Sequence, residues 1–200
     1  MTFELSSRVW LRTFLVLWLV GLAAWAQALW RYSATPGTAS VAPKQWPAAA
    51  PMPHPPGRAT LVMLAHPHCP CTRASLAELG KLLEREDVEA WVLFLRPAGA
   101  QPGWEKTDLW KTAAAMKNVH VLADADGAAA RAFGAETSGH VLFYDAEGSL
   151  RFSGGITQAR GHEGPSAGGE AIHSMLHGTA PRQEQAMIFG CPLESQESPP

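Results

Sequence analysis

Apolar positions along this 200-residue chain fall into distinct regimes. The first is an unbroken apolar run, "TFLVLWLVGLAAWAQALW" from Thr13 to Trp30, with no charged residue. At ~1.5 Å per residue a helix of that length spans about 27 Å, close to the hydrocarbon thickness of a bilayer. Next comes Ser33 to Arg58, which holds seven prolines and shows no apolar period. Proline fixes φ and removes an N–H donor, so an extended, semi-rigid spacer is expected over 33–58, holding a domain clear of a membrane. From residue 59 to 178, short apolar runs alternate with amphipathic ones.

Within 59–178 the elements can be placed. "TLVMLA" (60–65), "VEAWVLFLRP" (88–97, stopped by Pro97) and "NVHVLAD" (118–124) read as buried strands. Thr72 to Glu86 sets Leu76, Leu79, Leu82 and Leu83 at spacings of three and four, one face of an amphipathic helix turned to the core. Gly103 to Met116 reads as a second helix, with Trp104, Leu109 and Trp110 as its apolar points, and Ala128 to Phe133 as a short helical piece ending at Gly134. "HVLFYDAEGSLRFSGG" (140–155) predicts a hairpin around "DAEG", and Glu170 to His177 a closing helix. Asp124, Asp126 and Asp145 fall where turns are expected. Residues 179–200 form a polar tail interrupted by "MIFGCPL". Strands alternating with helices, then a hairpin and a helix, predict an α/β domain: a mixed central sheet with helices on both faces.

Composition and charge then narrow the setting. The chain is 46% hydrophobic and 17% charged, which suits a globular protein. A net charge of -2 and the lack of a dense Lys/Arg stripe give no reason to expect a nucleic-acid partner. Arg8 and Arg12 precede the apolar run, while only Arg31 follows closely. That bias places residues 1–12 in the cytoplasm, makes 13–32 an anchor, and puts the domain outside the cytoplasm. Trp30 and Tyr32 would sit at the outer interface. A rival reading is a cleaved signal peptide, for which "AWAQA" offers small residues; a buried soluble helix is the third. The first two both export the domain to an oxidising compartment.

The candidate chemistry sits in "HPHCPCT", His66 to Thr72. Cys69 and Cys71 lie after the first core strand and at the start of the first core helix, where chemistry collects in such sheets. Free N–H groups and the helix dipole stabilise a thiolate there, and a lowered pKa makes a nucleophile. The two cysteines can approach within disulfide range, but the ring is small and Pro70 limits its closure, so such a bridge would be readily reduced. Cys191 in "FGCPL" offers another partner if the tail folds back, and the apolar "MIF" beside it suggests that it docks. With three cysteines one thiol stays unpaired. His66, His68, Cys69 and Cys71 are also potential ligands, soft thiolates suiting copper(I) and imidazole suiting copper and zinc. The paired C-x-x-C elements of a structural zinc site are absent. The plainer readings are a turn for the cysteine pair, packed or solvent-facing rings for His66 and His68, and a free tail thiol for Cys191.

With "HPHCPCTRASLAEL" at its first strand–helix turn, the order of elements resembles the thioredoxin-like superfamily over about residues 58–178. More narrowly, "HPHCPCTRASLAEL", "TSGHVLFYDAEGSLRFSGGIT", "RGHEG" and "FGCPL" are similar to RedB-like, membrane-anchored thioredoxin-fold proteins of bacteria. The resemblance implies a single-pass protein of the cell inner membrane, with a thioredoxin-like domain (59–178) in the periplasm. It implies thiol–disulfide exchange with protein thiols or disulfides, Cys69 attacking and Cys71 or Cys191 resolving, with no required cofactor.

The chain also departs from that family. It has C-x-C where thioredoxins have C-x-x-C, so either Cys69 and Thr72 or His68 and Cys71 take the family positions. The proline that faces the cysteines ahead of the hairpin is missing from "ETSGH" (136–140), so His140 or Gly139 is expected to border the site, and thioredoxin-like docking of substrate peptides is in question. In such folds the "RGHEG" loop runs beside the cysteines, so Arg160, His162 or Glu163 would tune a thiolate or grip a substrate, unless the loop is only surface. Copper-delivery proteins of this fold use two cysteines and a distant histidine. That alternative assigns copper to Cys69, Cys71 and His140, with His162 a second choice of histidine, in the assembly of a membrane redox enzyme. Their C-x-x-x-C spacing is absent here, as is the P-x-x-x-T-x-x-C pattern of thiol peroxidases.

Overall fold

The computed structural model describes residues 2–38 and 40–193; Met1 of the expected cytoplasmic segment and residues 194–200 of the expected tail lie outside the described residues. The chain forms two compact units, one ending at Thr35 and the other starting at Pro36. The first is the helix α1 (Thr2–Ala34). It runs past both ends of the expected 13–32 span, because the next strong breaker is Pro36, whose ring and missing N–H cannot continue a helix. Its stretch Val9–Ala34 is the one helix among the described residues long and apolar enough to cross a membrane, and none of it is buried within the protein.

The second unit is built on a five-stranded sheet of β1 (Thr60–Ala65), β2 (Glu89–Arg96), β3 (Val119–Ala125), β4 (His140–Tyr144) and β5 (Leu150–Gly155), in the order β3-β2-β1-β4-β5. β1 runs parallel to β2, and β2 to β3, while β4 is antiparallel to both β1 and β5. Every residue of the central β1 is buried. Strand alternation sends Leu61, Met63 and Ala65 to one face and Val62 and Leu64 to the other, so both faces need a cover. On the first face the cover is helical: α2 (Pro70–Arg85), α3 (Asp108–Ala114) and α5 (Ala167–Leu176) bring Leu76, Leu79, Leu83, Leu109 and Ile172 against the strands. The three-and-four spacing of the α2 leucines is what fits that helix to the sheet.

The second face corrects the expected free spacer. Its helix, α4 (Ala128–Ala132), has only five residues, too few to cover Val62, Leu64, Leu142 and Tyr144. The segment expected to stand clear over 33–58 supplies the rest, with Ala42 and Met52 buried in the same cluster. Trp46 meets the rings of Phe133 and Tyr144 edge-on at 5.3 and 5.2 Å. Tyr144 donates its hydroxyl to the Pro43 carbonyl at 3.1 Å, and Trp46 its indole N–H to the Met52 carbonyl at 3.3 Å. Backbone bonds Trp46 N–H to Gly148 O and Leu150 N–H to Lys44 O fix the strap to the hairpin turn. Proline denies this segment a period without denying it apolar side chains, so it packs as an irregular strap.

The helix expected over 103–116 is likewise shorter. Residues 101–106 form successive turns, and α3 begins after Thr107, whose extended backbone (ψ -175°) makes it the N-cap.

Candidate active site

Four residues, 66–69, join β1 to α2. Cys69 is the N-cap in extended conformation (φ -86°, ψ 121°), and Pro70 takes the first helical position, where its missing N–H costs no helical bond. Cys71 follows inside the first turn. The turn is locked from behind. Thr72 Oγ1 donates to the His66 carbonyl at 3.0 Å and lies 2.8 Å from Ser138 Oγ, which accepts from His66 N–H at 2.9 Å. Thr72 is thus a buried brace of the turn.

The third cysteine arrives on an arm, residues 184–193, that crosses the site. Ser153 N–H donates to Glu184 O at 3.0 Å and Ala186 N–H to Ser153 O at 3.3 Å, so the arm starts along β5. It continues through the buried Ile188 to the segment ahead of β4. There Ser138 N–H donates to Cys191 O and Leu193 N–H to Glu136 O, both at 2.8 Å, with Thr137 and Pro192 in an antiparallel bridge. Arg160 donates its guanidinium N–H to the Gly190 carbonyl. The close approach depends on a missing side chain: a Cβ on Gly190 would lie 1.8 Å from the Ser138 carbonyl oxygen. The domain therefore extends beyond the expected limit of residue 178, because the arm buries Ile188 and Leu193 against it.

This docking sets Cys191 Sγ 2.7 Å from Cys69 Sγ, while the three sulfurs all lie within 4.8 Å of one another. The three cysteines are free. Their electrostatics differ sharply. Cys69 is lowered to about 5, chiefly by the S–H hydrogen bond from Cys191, against the opposing effect of burial. The N–H groups of Cys191, Thr72 and Cys71 face the sulfur and add to the lowering, without closing a strict capping bond. Cys191 is pushed up, first by that same hydrogen bond; Cys71 is pushed up by burial and then by the charge on Cys69. Arg160 opposes both rises. The arrangement thus favours the thiolate on Cys69 over the other two sulfurs, with Cys191 as its hydrogen-bond partner. Cys69 is only 2% exposed and Cys71 4%, whereas Cys191 is partly open.

The other expected site residues separate into near and far. His66 is half-buried, its pKa lowered by burial, with its ring edge-on to Trp104 at 5.6 Å. His68 is exposed, 4.5 Å from the Trp104 ring, with Nε2 3.1 Å from the Trp104 carbonyl. Gly139 donates its N–H to Leu64 O at the end of β1. His140 is buried, its Nε2 2.8 Å from Ser153 Oγ and its Nδ1 without a hydrogen-bond partner; burial lowers its pKa to about 4, so the ring is neutral. Because its ring is held toward β5, His140 does not join the sulfurs. Among the described residues the ligand group that forms is Cys69, Cys71 and Cys191, which replaces the expected copper set of Cys69, Cys71 and His140. Of "RGHEG", Arg160 acts on the sulfurs. His162 and Glu163 are exposed, His162 Nδ1 lying 2.9 Å from Arg160 O and Glu163 pairing with Lys81 at 3.1 Å. Ser138 and Trp104 also belong to the site, and no motif in the sequence marks them. The signal for Ser138 was its place in "ETSGH", where the resembled family has a proline.

No protein-family model and no curated protein matches the chain. Solved structures do. A hypothetical protein from Sinorhizobium meliloti 1021 aligns at 21% identity and TM-score 0.60, over 78% of this chain and 97% of that one. An uncharacterized conserved protein from Geobacillus kaustophilus aligns at 21% identity and TM-score 0.57, over 72% and 80%. A secreted disulfide oxidoreductase of Mycobacterium tuberculosis aligns more weakly, at 19% identity and TM-score 0.40, over 48% and 67%. For the first two, at 21% identity, the likeness is one of fold. The second unit itself has the thioredoxin-like fold: parallel strands linked by helices, then an antiparallel hairpin and a helix on one mixed sheet, with a cysteine at the strand-to-helix turn after the central strand.

Proposed function

We propose that this chain is a membrane-tethered, extracytoplasmic thiol–disulfide oxidoreductase whose working couple is Cys69 and Cys191. A shared fold does not fix a function; the observation that carries the reading is the 2.7 Å approach of Cys191 Sγ to Cys69 Sγ at the start of α2. In the reducing direction the Cys69 thiolate attacks one sulfur of a partner disulfide. The partner's S–S bond breaks, a Cys69–partner S–S bond forms, and the partner's other sulfur leaves as a thiolate. Cys191, having lost its proton to solvent or to that thiolate, attacks Cys69 Sγ and displaces the second partner sulfur. The partner gains two electrons and two protons, one proton from Cys191 and one from solvent, and the couple ends as a Cys69–Cys191 disulfide. A second protein dithiol reverses the sequence to regenerate the couple, and both halves run either way according to the potentials of the partners. Cys71 is the third thiol, held near by α2.

Cys69 is nearly covered, so a partner reaches it only when the arm lifts. The apolar helix supports a tether to the inner membrane, and the arginine bias supports a periplasmic domain. The test uses the purified full chain in detergent. Cys69→Ser should abolish insulin or partner-protein reduction, and Cys191→Ser should stall as a mixed disulfide that survives acid quenching. Undiminished turnover in Cys69→Ser would refute the couple.

A second reading rests on the convergence of three sulfurs within 4.8 Å. Three thiolates suit a soft ion such as copper(I), and this would be a copper-handling module for assembly of a membrane redox enzyme. It predicts one tightly held Cu(I), lost in Cys71→Ser. A Cys71→Ser chain that keeps its Cu(I), or a wild type that binds no more than a cysteine-free chain, excludes it.

A further inference from the structure

A second cluster of ligand-bearing side chains lies away from the sulfurs, where the C-terminal ends of two helices meet. Glu86 is the C-cap of α2 and His177 the C-cap of α5; His173 lies one turn earlier on α5. Histidines four apart on a helix share a face. Here both turn toward one carboxylate oxygen: His173 Nδ1 is 2.7 Å and His177 Nε2 3.0 Å from Glu86 Oε1. All three ligand atoms lie within 4.8 Å of one another.

The Glu86 side chain is only 9% exposed, while the two imidazoles are more than half exposed. The negative ends of two helix dipoles converge there and favour a cation. Glu170, one turn before His173, lines an adjoining cavity of about 300 Å³ with Glu86 and His173 and adds to the negative field, whereas Glu78 in the same lining is paired with Lys81 at 2.8 Å. Two imidazoles with one carboxylate make a borderline donor set that suits zinc and its neighbours. Bonds of ~2.0–2.1 Å place tetrahedral ligands about 3.3 Å apart. The present 2.7 and 3.0 Å separations reach that by small rotations of the exposed rings.

We propose that Glu86, His173 and His177 form a binding site for a divalent borderline transition-metal ion such as Zn²⁺, with three protein ligands and one coordination position left to water. The ion ties the end of α5 to the end of α2, the helix that begins at Cys69. The site stands independently of the thiol chemistry.

The test is zinc titration of the full chain in detergent, with all three cysteines replaced by serine so that sulfur cannot contribute. One equivalent of Zn²⁺ should bind. His173→Ala or His177→Ala should weaken binding by tenfold or more, and the double substitution should abolish it; both histidines are exposed, so these variants should fold. Zinc should also raise the melting temperature of the parent and not of the double variant. Should the cysteine-free chain fail to fold, cobalt(II) added to the wild type is the readout. Absorption bands free of thiolate charge transfer and lost in His173→Ala support the site. No zinc uptake, unchanged affinity in the histidine variants, or a cobalt spectrum of thiolate origin alone overturns it.

Discussion

Gly190→Ala puts a methyl group where the arm meets the body of the domain. An alanine Cβ would stand 1.8 Å from the Ser138 carbonyl oxygen, 2.9 Å from its carbon and 3.1 Å from Thr137 Cγ2. The first two contacts are with backbone, and Ser138 N–H is engaged with Cys191 O, so the arm must move. Overpacking of this kind typically costs ~1–3 kcal/mol, a factor of roughly 5 to 150 in an equilibrium constant. The dithiol sheds that cost when the arm lifts, whereas the Cys69–Cys191 disulfide holds the arm docked and keeps it. Its equilibrium against glutathione, read by acid quench and mass analysis of the full chain, should shift toward the dithiol by roughly 5- to 150-fold. The Cys69 pKa should rise with it, since the Cys191 hydrogen bond is the largest cause of its lowering. An equilibrium within about twofold of wild type, less than ~0.5 kcal/mol, would refute the docked arm as the source of the pairing.

Other expectations follow from the same geometry. In the reduced chain, thiolate ultraviolet absorbance should titrate with a midpoint of about 5. A depressed thiol pKa means the anion is present at neutral pH and is lost only as pH falls through that midpoint; Cys191→Ala should move the midpoint up, and a wild-type midpoint near 9 would contradict the assignment. His140, buried and neutral with a pKa of about 4 against 6.5 when unfolded, binds its proton more readily in the unfolded chain. Stability should therefore be lost as pH falls from about 6.5 to 4, by up to ~3 kcal/mol, and denaturant titrations of His140→Phe should show that much less pH dependence. Trp46→Ala should destabilise the domain by up to about 3–5 kcal/mol, because its ring packs on Phe133 and Tyr144; a free spacer would give a change within ~0.5 kcal/mol.

Much of this fold was legible because its elements carry strong periods. The leucines of α2 and the apolar runs of β1, β2 and β4 mark helix and buried strand by spacing alone, and the place of Cys69 and Cys71 follows from the strand-to-helix turn. The strap and the arm were not legible in the same way. Trp46, Met52 and Ile188 pack as single side chains from irregular backbone, so no period announces them. Their register comes from long-range backbone bonds, such as Leu150 N–H to Lys44 O and Leu193 N–H to Glu136 O. The site divides along the same line. Cys191 could be named as a possible partner from its apolar neighbours, but its advantage over Cys71 depends on Gly190 fitting against Ser138. His140 has the right chemistry for a ligand, and only the tertiary direction of its ring, toward Ser153, takes it out of the sulfur group.

The site works as a couple because the arm delivers Cys191 to Cys69. Mass mapping of the oxidised full chain, alkylated and digested without reduction, tests it directly. The expected product is a peptide pair joined through Cys69 and Cys191, with Cys71 recovered as the alkylated free thiol. A Cys69–Cys71 bridge, or an oxidised chain in which Cys191 is alkylated in full, would contradict it.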